Sequence, residues 1–330
     1  GDGIENSMDN CPTVSNIYQE DFDNDEIGDY CDDDSLIYVP DDNFEKFLEG
    51  NNYNADDYVI LSVTSSITSI GNSSGVNTHV DFSSNGTQVF DFTGIESLVN
   101  LEEFDVRIEG VSSLDLSNNL KLKIVDIYSF GFDPGPDLNS IVFPSNNSIE
   151  TLIIYSSIND YQFDKFNNLL ELRIGGNARI ENLDVSNLTS LTSLQANFFE
   201  MDYNNRFKGG ILNTPDFSNN INLKTLIIQY AQFSTPPDLS NNTNLETINF
   251  KGITKFETLD LSNLYNLKSV IINDTETLKC VKVNQETLDR INNNDPKQYW
   301  FNYNNDGSSW SISCGYNCWP ETIISTSECN

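Results

Sequence analysis

The stretch that decides the fold is Leu223-Lys224-Thr225-Leu226-Ile227-Ile228, which recurs after 22 residues as LETINF at 245–250 and after 22 more as LKSVII at 267–272. All copies follow the pattern L-x-x-L-x-I, whose apolar strand positions lie on one side. Because one such unit cannot bury its own leucines, the pattern predicts a solenoid of stacked strands. Further copies start at Leu101, Leu122, Ile149, Leu169 and Leu191, which makes the steps 21, 27, 20, 22, 32, 22 and 22 residues. A short last copy starts at Leu278, and an irregular early one surrounds Val80-Asp81-Phe82.

A repeat with this period and apolar spacing resembles the leucine-rich repeat. The return segments are themselves strand-like, as in LDLSNN at Leu114, LDVSNL at Leu183 and LDLSNL at Leu259. We therefore expect a mainly β leucine-rich-repeat solenoid over residues 76–283, with strands on both faces. The asparagines after LDLS suit turns, and stacked asparagines can bond to the backbone of the next repeat.

Both ends of the solenoid are expected to carry caps. Over residues 36–75, Asp41 or Asp42 can cap a short helix with Phe44 and Phe47/Leu48 on its apolar face, and Gly50-Asn51-Asn52 ends it. Residues 284–330 leave the repeat and contain all three tryptophans. Four cysteines lie at or beyond the last strand, so a disulfide-stapled C-terminal cap is favoured over a separate aromatic ligand site.

The two longest steps contain insertions, at residues 131–137 and 197–210. Insertions in solenoids form loops, often on a binding face. The second is rich in aromatic residues. It fits either a binding loop or a β-hairpin that packs its own side chains against the solenoid edge.

Composition narrows the class of function. The 330 residues carry a net charge of −33, which disfavours binding to nucleic acid or anionic lipid and favours cations. The sequence contains no run of 18 apolar residues, so it predicts no membrane-spanning helix. The six cysteines without paired zinc spacing indicate a secreted protein with three disulfides. Since the chain starts without methionine, we expect it to be part of a longer protein.

Residues 1–35 contain twelve acidic side chains and no Lys or Arg. Asp21, Asp23, Asp25, Asp29 and Asp32 fall at relative positions 1, 3, 5, 9 and 12, and Ile27 at position 7 offers its backbone carbonyl. Alternating carboxylates suit Ca²⁺, which takes six to eight oxygen ligands, better than Mg²⁺. The alternative is a solvated acidic linker.

Residues 2–34 resemble the thrombospondin type 3 repeat through Asp9-Asn10-Cys11-Pro12, Asn16, Gln19, the Asp21-x-Asp23-x-Asp25 run and Gly28-Asp29-x-Cys31-Asp32. The resemblance implies a segment wrapped around Ca²⁺ with almost no apolar core. It implies that Asp21, Asp23, Asp25, Asp29, Asp32 and the Ile27 carbonyl hold one ion, with Asn16 and Gln19 near a second, and that Cys11 pairs with Cys31. Asp2, Asn6 and Asp9 match the end of an upstream motif whose first carboxylates would precede Gly1. For the other cysteines we predict Cys280–Cys314 and Cys318–Cys329, from their proximity to the cap.

The region 37–314 resembles secreted leucine-rich-repeat proteins of Bacteroidetes-type bacteria. The matching residues are Val39-Pro40-Asp41-x-Asn43-Phe44, the LDLSNN and LDVSNL units, and Leu278-Lys279-Cys280-Val281-x-Val283. The resemblance implies an extracellular, secreted or cell-surface protein, and it says little about the ligand.

Outward-facing strand positions are the candidate ligand site. Tyr128 and Tyr155 occupy the same position of successive repeats, with Asp126 and Arg173 nearby. Adjacent tyrosines can stack on sugar rings and bond to hydroxyl groups, although sheets also favour tyrosine without any ligand. We expect a non-catalytic module for adhesion or polysaccharide recognition through the concave face. A protein-interaction scaffold and a structural spacer joining other domains remain as alternatives.

An enzyme is not expected. The chain has no nucleophile elbow or phosphate-binding glycine loop, and fifty acidic residues make chance carboxylate pairs common. The single histidine, His79, excludes multi-histidine metal sites. We interpret it as a structural or surface residue.

Overall fold

The computed structural model describes residues 2–19, 21, 26–28, 30–32, 36–53, 55–71, 79–84, 86–129, 138–156, 158, 163–176, 180, 182–198, 213–231, 233, 235–253, 256–273, 278–293, 309–313 and 323–325. The chain divides into two units, Gly1–Ser148 and Ile149–Asn330. Each unit is described by itself below.

Among its described residues, the first unit contains the helices α1 (Asp42–Glu49) and α2 (Leu61–Ser66) and 3-10 turns at Gly50–Asn52 and Ile95–Ser97. Its strands are β1 (Leu36–Tyr38), β2 (Tyr58–Ile60), β3 (Ser69–Ile70), β4 (Val80–Phe82), β5 (Glu103–Ile108), β6 (Ser113–Asp115), β7 (Ile124–Ser129) and β8 (Ser140–Val142).

Helix α1 forms where the sequence places it. The Asp41 carboxylate accepts hydrogen bonds from the backbone N–H groups of Asn43 and Phe44, which caps the helix at its N-terminus. Phe44 and Leu48 are buried, and Gly50 ends the helix at φ 59°, a conformation that glycine adopts without strain. The antiparallel pair β1–β2 lies beside this helix in the chain.

The parallel sheet of the first unit has a split rung. Strand β7 pairs with β5 from Glu103↔Ile124 to Ile108↔Ser129. On its other side β5 pairs with two short strands, β3 through Ile70↔Phe104 and β4 through Val80↔Val106. The chain therefore leaves the first rung after β3 and re-enters the same rung at β4.

The second unit contains helix α3 (Gln285–Asn293) and a 3-10 turn at Phe163–Lys165. Its strands are β9 (Thr151–Tyr155), β10 (Glu171–Gly175), β11 (Ser193–Asn197), β12 (Thr225–Gln229), β13 (Thr247–Lys251), β14 (Thr258–Asp260), β15 (Ser269–Asn273), β16 (Cys280–Lys282), β17 (Ser309–Ser313) and β18 (Ile323–Ser325).

Strands β9 to β13, β15 and β17 pair in parallel in that order, and from β9 to β15 equivalent repeat positions lie opposite each other. Leu172, Leu194 and Leu226 are fully buried in this register, as are the leucines that open the repeats. Strands of 20–32-residue repeats that pair in register around a leucine core are those of a leucine-rich-repeat solenoid. The predicted mainly β architecture is confirmed.

Buried asparagines link neighbouring repeats. The Asn242 amide donates to the carbonyls of Phe217 and Asn220, both at 2.9 Å, and the Asn220 amide donates to those of Val185 and Leu188. Asn119 makes the same contacts in the first unit, to Ile95 and Leu98. All three side chains have no exposed surface, so each satisfies carbonyls that water cannot reach.

The return segments are less regular than the sequence predicts. Leu114 and Leu259 lie in the short strands β6 and β14, but residues 182–185 around Leu183 form no strand. Beyond residue 283, β17 pairs in parallel with β15, and β18 pairs with β16 in a second sheet, β14-β16-β18, so both sheets continue past the predicted end of the repeats. Insertion 131–137 and most of 197–210 lie outside the described residues.

Candidate functional sites

The described residues of the N-terminal segment bury polar groups and expose apolar ones. Asn16 and Asp32 are 4% and 7% exposed, whereas Met8, Ile17 and Tyr18 are 77%, 62% and 82% exposed. The one fully buried hydrophobic residue described in this segment is Cys11. Apolar burial therefore does not hold this segment together.

A network of amide side chains organises its interior. Gln19 accepts a hydrogen bond from the Asn10 backbone at 2.8 Å and donates to Asn16 through its Nε2 atom. The Asn16 amide in turn donates to Asn10 Oδ1 at 2.6 Å. Gly28 closes the fold by donating its N–H to the Asn10 carbonyl, and a side chain at position 28 would overlap Asn10 and Cys11. Asn16 and Gln19, predicted near a second ion, thus also have structural partners.

The predicted metal ligands divide into three groups. Asp2 accepts from the N–H groups of Asn16 (2.7 Å) and Ile4 (3.1 Å), and these bonds lower its pKa. Asp9 accepts from the Cys11 backbone and Gln19, whereas Asn6 is exposed.

Of the main motif, Asp21 is half-buried and accepts from Glu26 N–H, the Ile27 side chain is exposed, and Asp32 is buried. Asp23, Asp25 and Asp29 lie outside the described residues.

The donor chemistry of this segment fits Ca²⁺. Its interior offers carboxylate, amide and carbonyl oxygens, which are the ligands of hard cations. No lysine or arginine occurs within residues 1–35 to neutralise the carboxylates.

The predicted disulfide Cys11–Cys31 is confirmed, with a Cα–Cα distance of 5.7 Å. Cys280 is also disulfide-bonded. Its predicted partner Cys314, and the predicted pair Cys318–Cys329, lie outside the described residues.

The sheet of the second unit presents three rows of outward side chains, one residue per strand in each row. The first row consists of hydroxyl side chains and one carboxylate: Thr151, Glu171, Ser193, Thr225, Thr247 and Ser269. The central row reads Ile153, Arg173, Gln195, Ile227, Asn249 and Ile271. The third row reads Tyr155, Gly175, Asn197, Gln229 and Lys251.

Tyr155 lies over a glycine. A Cβ atom at Gly175 would come within 2.7 Å of the Tyr155 ring, so the absence of a side chain there lets the ring lie against the strand β10. Beside it, Arg173 forms an ion pair with Glu171 at 2.6 Å between Nη2 and Oε1. The ring and the guanidinium are half-buried and so pre-positioned on the outward face.

The other two predicted ligand residues, Asp126 and Tyr128, belong to the first unit. Both are half-buried on the outward side of β7, where Asp126 pairs with Asp105 and Tyr128 with Arg107 of β5. The predicted combination of Tyr128 with Tyr155 involves both units and stays a prediction.

His79, for which the sequence predicted no function, lies beside Asp105 and Tyr128. The His79 imidazole contacts the Asp105 carboxylate through Nδ1, and its ring lies 4.4 Å from that of Tyr128. The strand register places it there: counting back one residue from Val80, which pairs with Val106, puts His79 in the same row as Asp105 and Asp126.

Comparison with known proteins supports the N-terminal assignment. Residues 1–19 match the family of the thrombospondin type 3 repeat. No curated protein matches the sequence.

Two solved structures are similar to the chain. The functional domain of InlJ from Listeria monocytogenes, which includes a cysteine ladder, is 19% identical over 75% of this chain and 58% of that chain, with a TM-score of 0.34. An internalin, InlF, from Listeria monocytogenes is 16% identical over 75% of this chain and 90% of that chain, with a TM-score of 0.35. At these scores the assignment of the repeat fold rests on the strand register described above. None of the described helices is long and apolar enough to cross a membrane.

Proposed function

We propose that this chain is a non-catalytic, calcium-stabilised binding module of a secreted or cell-surface protein, and that it recognises polysaccharide through the outward face of its repeat sheet. The observation that carries the proposal is the third row of the second unit. There Tyr155 lies on Gly175, and the amides of Asn197 and Gln229 follow on the next strands.

This arrangement suits a sugar ring. A half-buried tyrosine offers a flat apolar face for stacking and a hydroxyl for hydrogen bonding. Amides both donate and accept, which matches sugar hydroxyl groups. Gln195 and Asn249 of the central row and the threonines of the first row extend the polar surface. In the first unit, Tyr128 with Asp126 offers a similar combination.

Calcium has a structural role in this proposal. Asp21, Asp23, Asp25, Asp29, Asp32 and the Ile27 carbonyl would hold one ion, and Asp2, Asn6, Asp9, Asn16 and Gln19 would support neighbouring positions. The bound cation would neutralise carboxylates that the segment must otherwise keep together without an apolar core. The confirmed disulfide and the type 3 repeat match support an extracellular setting, where both Ca²⁺ and disulfides persist.

A protein partner is the second candidate. The central row contains the half-buried Ile227 and Ile271 on the outward side, and aliphatic side chains suit a protein interface better than a sugar. Curved repeat surfaces commonly bind proteins.

A glycan and polysaccharide screen tests the proposal, run once with Ca²⁺ and once with chelator. Tyr155→Ala removes the stacking ring, Tyr128→Ala removes its counterpart in the first unit, and Tyr155→Phe keeps the ring but loses the hydroxyl. Tyr265→Ala is the matched control, because Tyr265 is 61% exposed and lies in a turn outside the sheet. Loss of one stacked ring should weaken a hit by about tenfold.

The outcomes separate the candidates. A hit that Tyr155→Ala or Tyr128→Ala weakens and Tyr265→Ala leaves unchanged supports recognition by the sheet. A hit that is lost only with chelator places the site in residues 1–35. A screen without any hit, together with capture of a protein that Ile227→Asp prevents, would replace the polysaccharide by a protein partner.

A further inference from the structure

The split first rung of the sheet in the first unit brings an imidazole and two carboxylates into one row. Asp105 and Asp126 are directly opposite each other on the parallel strands β5 and β7. Extending the β3 pairing by one residue, from Ile70 to Gly71, places Gly71 opposite Asp105. Extending the β4 pairing back by one residue, from Val80 to His79, places His79 opposite the same residue. The row therefore reads His79, Asp105, Asp126 across three neighbouring rungs.

Gly71 makes this arrangement possible. Two residues of the same rung compete for the position beside Asp105, and a Cβ at position 71 would lie 2.8 Å from the Asp105 Cβ. Because Gly71 has no side chain, the His79 imidazole is the side chain that this rung places beside Asp105. There its Nδ1 meets the Asp105 carboxylate, and its ring packs against Tyr128.

We propose that His79, Asp105 and Asp126 form a binding site for a divalent transition-metal ion, with Zn²⁺ as its probe. One ligand atom of each residue lies within 4.8 Å of the other two, so a single ion can contact all three. The side chains of His79 and Asp105 are only 21% and 16% exposed, and the Tyr128 ring holds the imidazole in place. Such a site is preformed by the sheet.

The charges also favour a cation. One imidazolium would neutralise only one of two carboxylates that face each other, whereas a divalent ion neutralises both. Arg107 lies on the same side of the sheet but is exposed, at the register position of Asp81 and Tyr128. Among the described residues, the His79 imidazole lies within ion-pair distance of the Asp105 carboxylate.

The imidazole decides which metal. Zn²⁺ takes histidine nitrogen and carboxylate oxygen, whereas Ca²⁺ takes oxygen alone. The other group of possible ligands among the described residues, Asp42, Glu45 and Asp57, contains carboxylates only. Three protein ligands leave a coordination position for water or for a donor group of a molecule bound at this face.

A titration of the untagged chain with Zn²⁺ tests the proposal, in millimolar Ca²⁺ so that the acidic segment stays loaded. Because the sequence has one histidine, ¹³C-labelled histidine gives NMR signals from His79 alone. We expect the chemical shifts of these signals to change until one equivalent of Zn²⁺ has been added, and to stay unchanged when more Ca²⁺ is added. His79 signals that do not respond to Zn²⁺ would overturn the proposal without any variant.

Calorimetry on variants assigns the other ligands. Asp105→Asn and Asp126→Asn should each lower Zn²⁺ affinity by at least about tenfold, and His79→Gln should abolish binding at this site. Asp115→Asn is the matched control, since it removes the same charge from the same unit outside the row, and it should leave the affinity unchanged. Equal Zn²⁺ affinity in folded Asp126→Asn and native chain would reduce the cluster to a metal-free His79–Asp105 pair.

Discussion

The N-terminal segment and the repeats of the second unit solve the same problem in opposite ways. In the repeats, leucines such as Leu226 are fully buried and polar side chains face outward. In the N-terminal segment, Asn16 and Asp32 are buried while Met8 and Tyr18 face solvent. The comparison teaches that a chain can order a stretch too polar for a hydrophobic core by placing its oxygen donors inside, where a disulfide links the segment and, in the function proposed above, a cation would bind.

The largest expected effect comes from a substitution in the apolar core of the repeats. Leu226→Ala removes a fully buried side chain and should lower the free energy of unfolding of the repeats by about 2–5 kcal/mol. Denaturant unfolding followed by circular dichroism measures it. Ile221→Ala is the control, because Ile221 is 54% exposed, and it should stay within about 0.5 kcal/mol. The loss should be the same with chelator; a calcium-dependent loss would mean that the repeats share the ionic stabilisation.

Removal of Ca²⁺ tests the polar interior of the N-terminal segment. If Ca²⁺ binds only the ordered segment, then an ion at about a hundred times its Kd stabilises that segment by about 2.7 kcal/mol. Chelator should therefore speed protease cleavage within residues 1–35 by about a hundredfold and leave the repeats intact. Limited proteolysis with mass spectrometry measures both. Unchanged cleavage of residues 1–35 would contradict the calcium assignment.

The asparagine ladder sharpens the comparison, because it is a polar element inside the apolar region. Asn242→Ala removes two hydrogen bonds, to the buried carbonyls of Phe217 and Asn220, each of which keeps one backbone N–H donor, and should cost about 1–3 kcal/mol in total. The neighbouring Asn241→Ala is the matched control, since Asn241 is exposed and donates only a weak bond of 3.4 Å to Ser218. Equal unfolding midpoints for the two variants would show that the ladder contributes no stability.

The smallest expected effect concerns acid. The Ser186 hydroxyl and N–H bind the Asp184 carboxylate and lower its pKa below the ordinary value of about 3.9. A lowered pKa contributes stability that is present above that value and is lost as the pH falls through the folded one. Thermal unfolding of the repeats should thus be insensitive to pH from neutral to about 5 and decline below about 4. Because Asp184 is exposed to solvent, Ser186→Ala should reduce the stability above this window by at most about 0.5 kcal/mol, and a decline that starts near pH 6 would point to other groups.

The fold was predictable from the sequence wherever apolar residues recur at a fixed spacing. The spacing of Leu223, Leu245 and Leu267 predicts parallel strands in register, because only stacking buries these leucines. The resemblance to the type 3 repeat implies the Cys11–Cys31 pair, which local spacing alone does not. The extension of the sheet by Ser309–Ser313 was not predictable, since that strand follows no leucine pattern and joins the sheet through its backbone.

The candidate sites were predictable only in part. Asp126, Tyr128, Tyr155 and Arg173 face outward as the alternation of strand residues requires. The role of Gly175 beneath Tyr155 was missed, because a pattern of apolar positions does not show which ring lies on which backbone. His79 was missed because the residues between β3 and β4 interrupt the repeat, and the interruption hides the row to which His79 returns.

The split rung has a further consequence, for protein engineering. Because β3 and β4 both pair with β5, the chain between residues 71 and 79 starts and ends beside one residue of the sheet. The cost of closing a loop grows only slowly with its length. A foreign peptide exchanged for residues 72–78 would have both ends anchored beside the same strand, β5, so this interval suits the grafting of peptides whose two ends must lie close together.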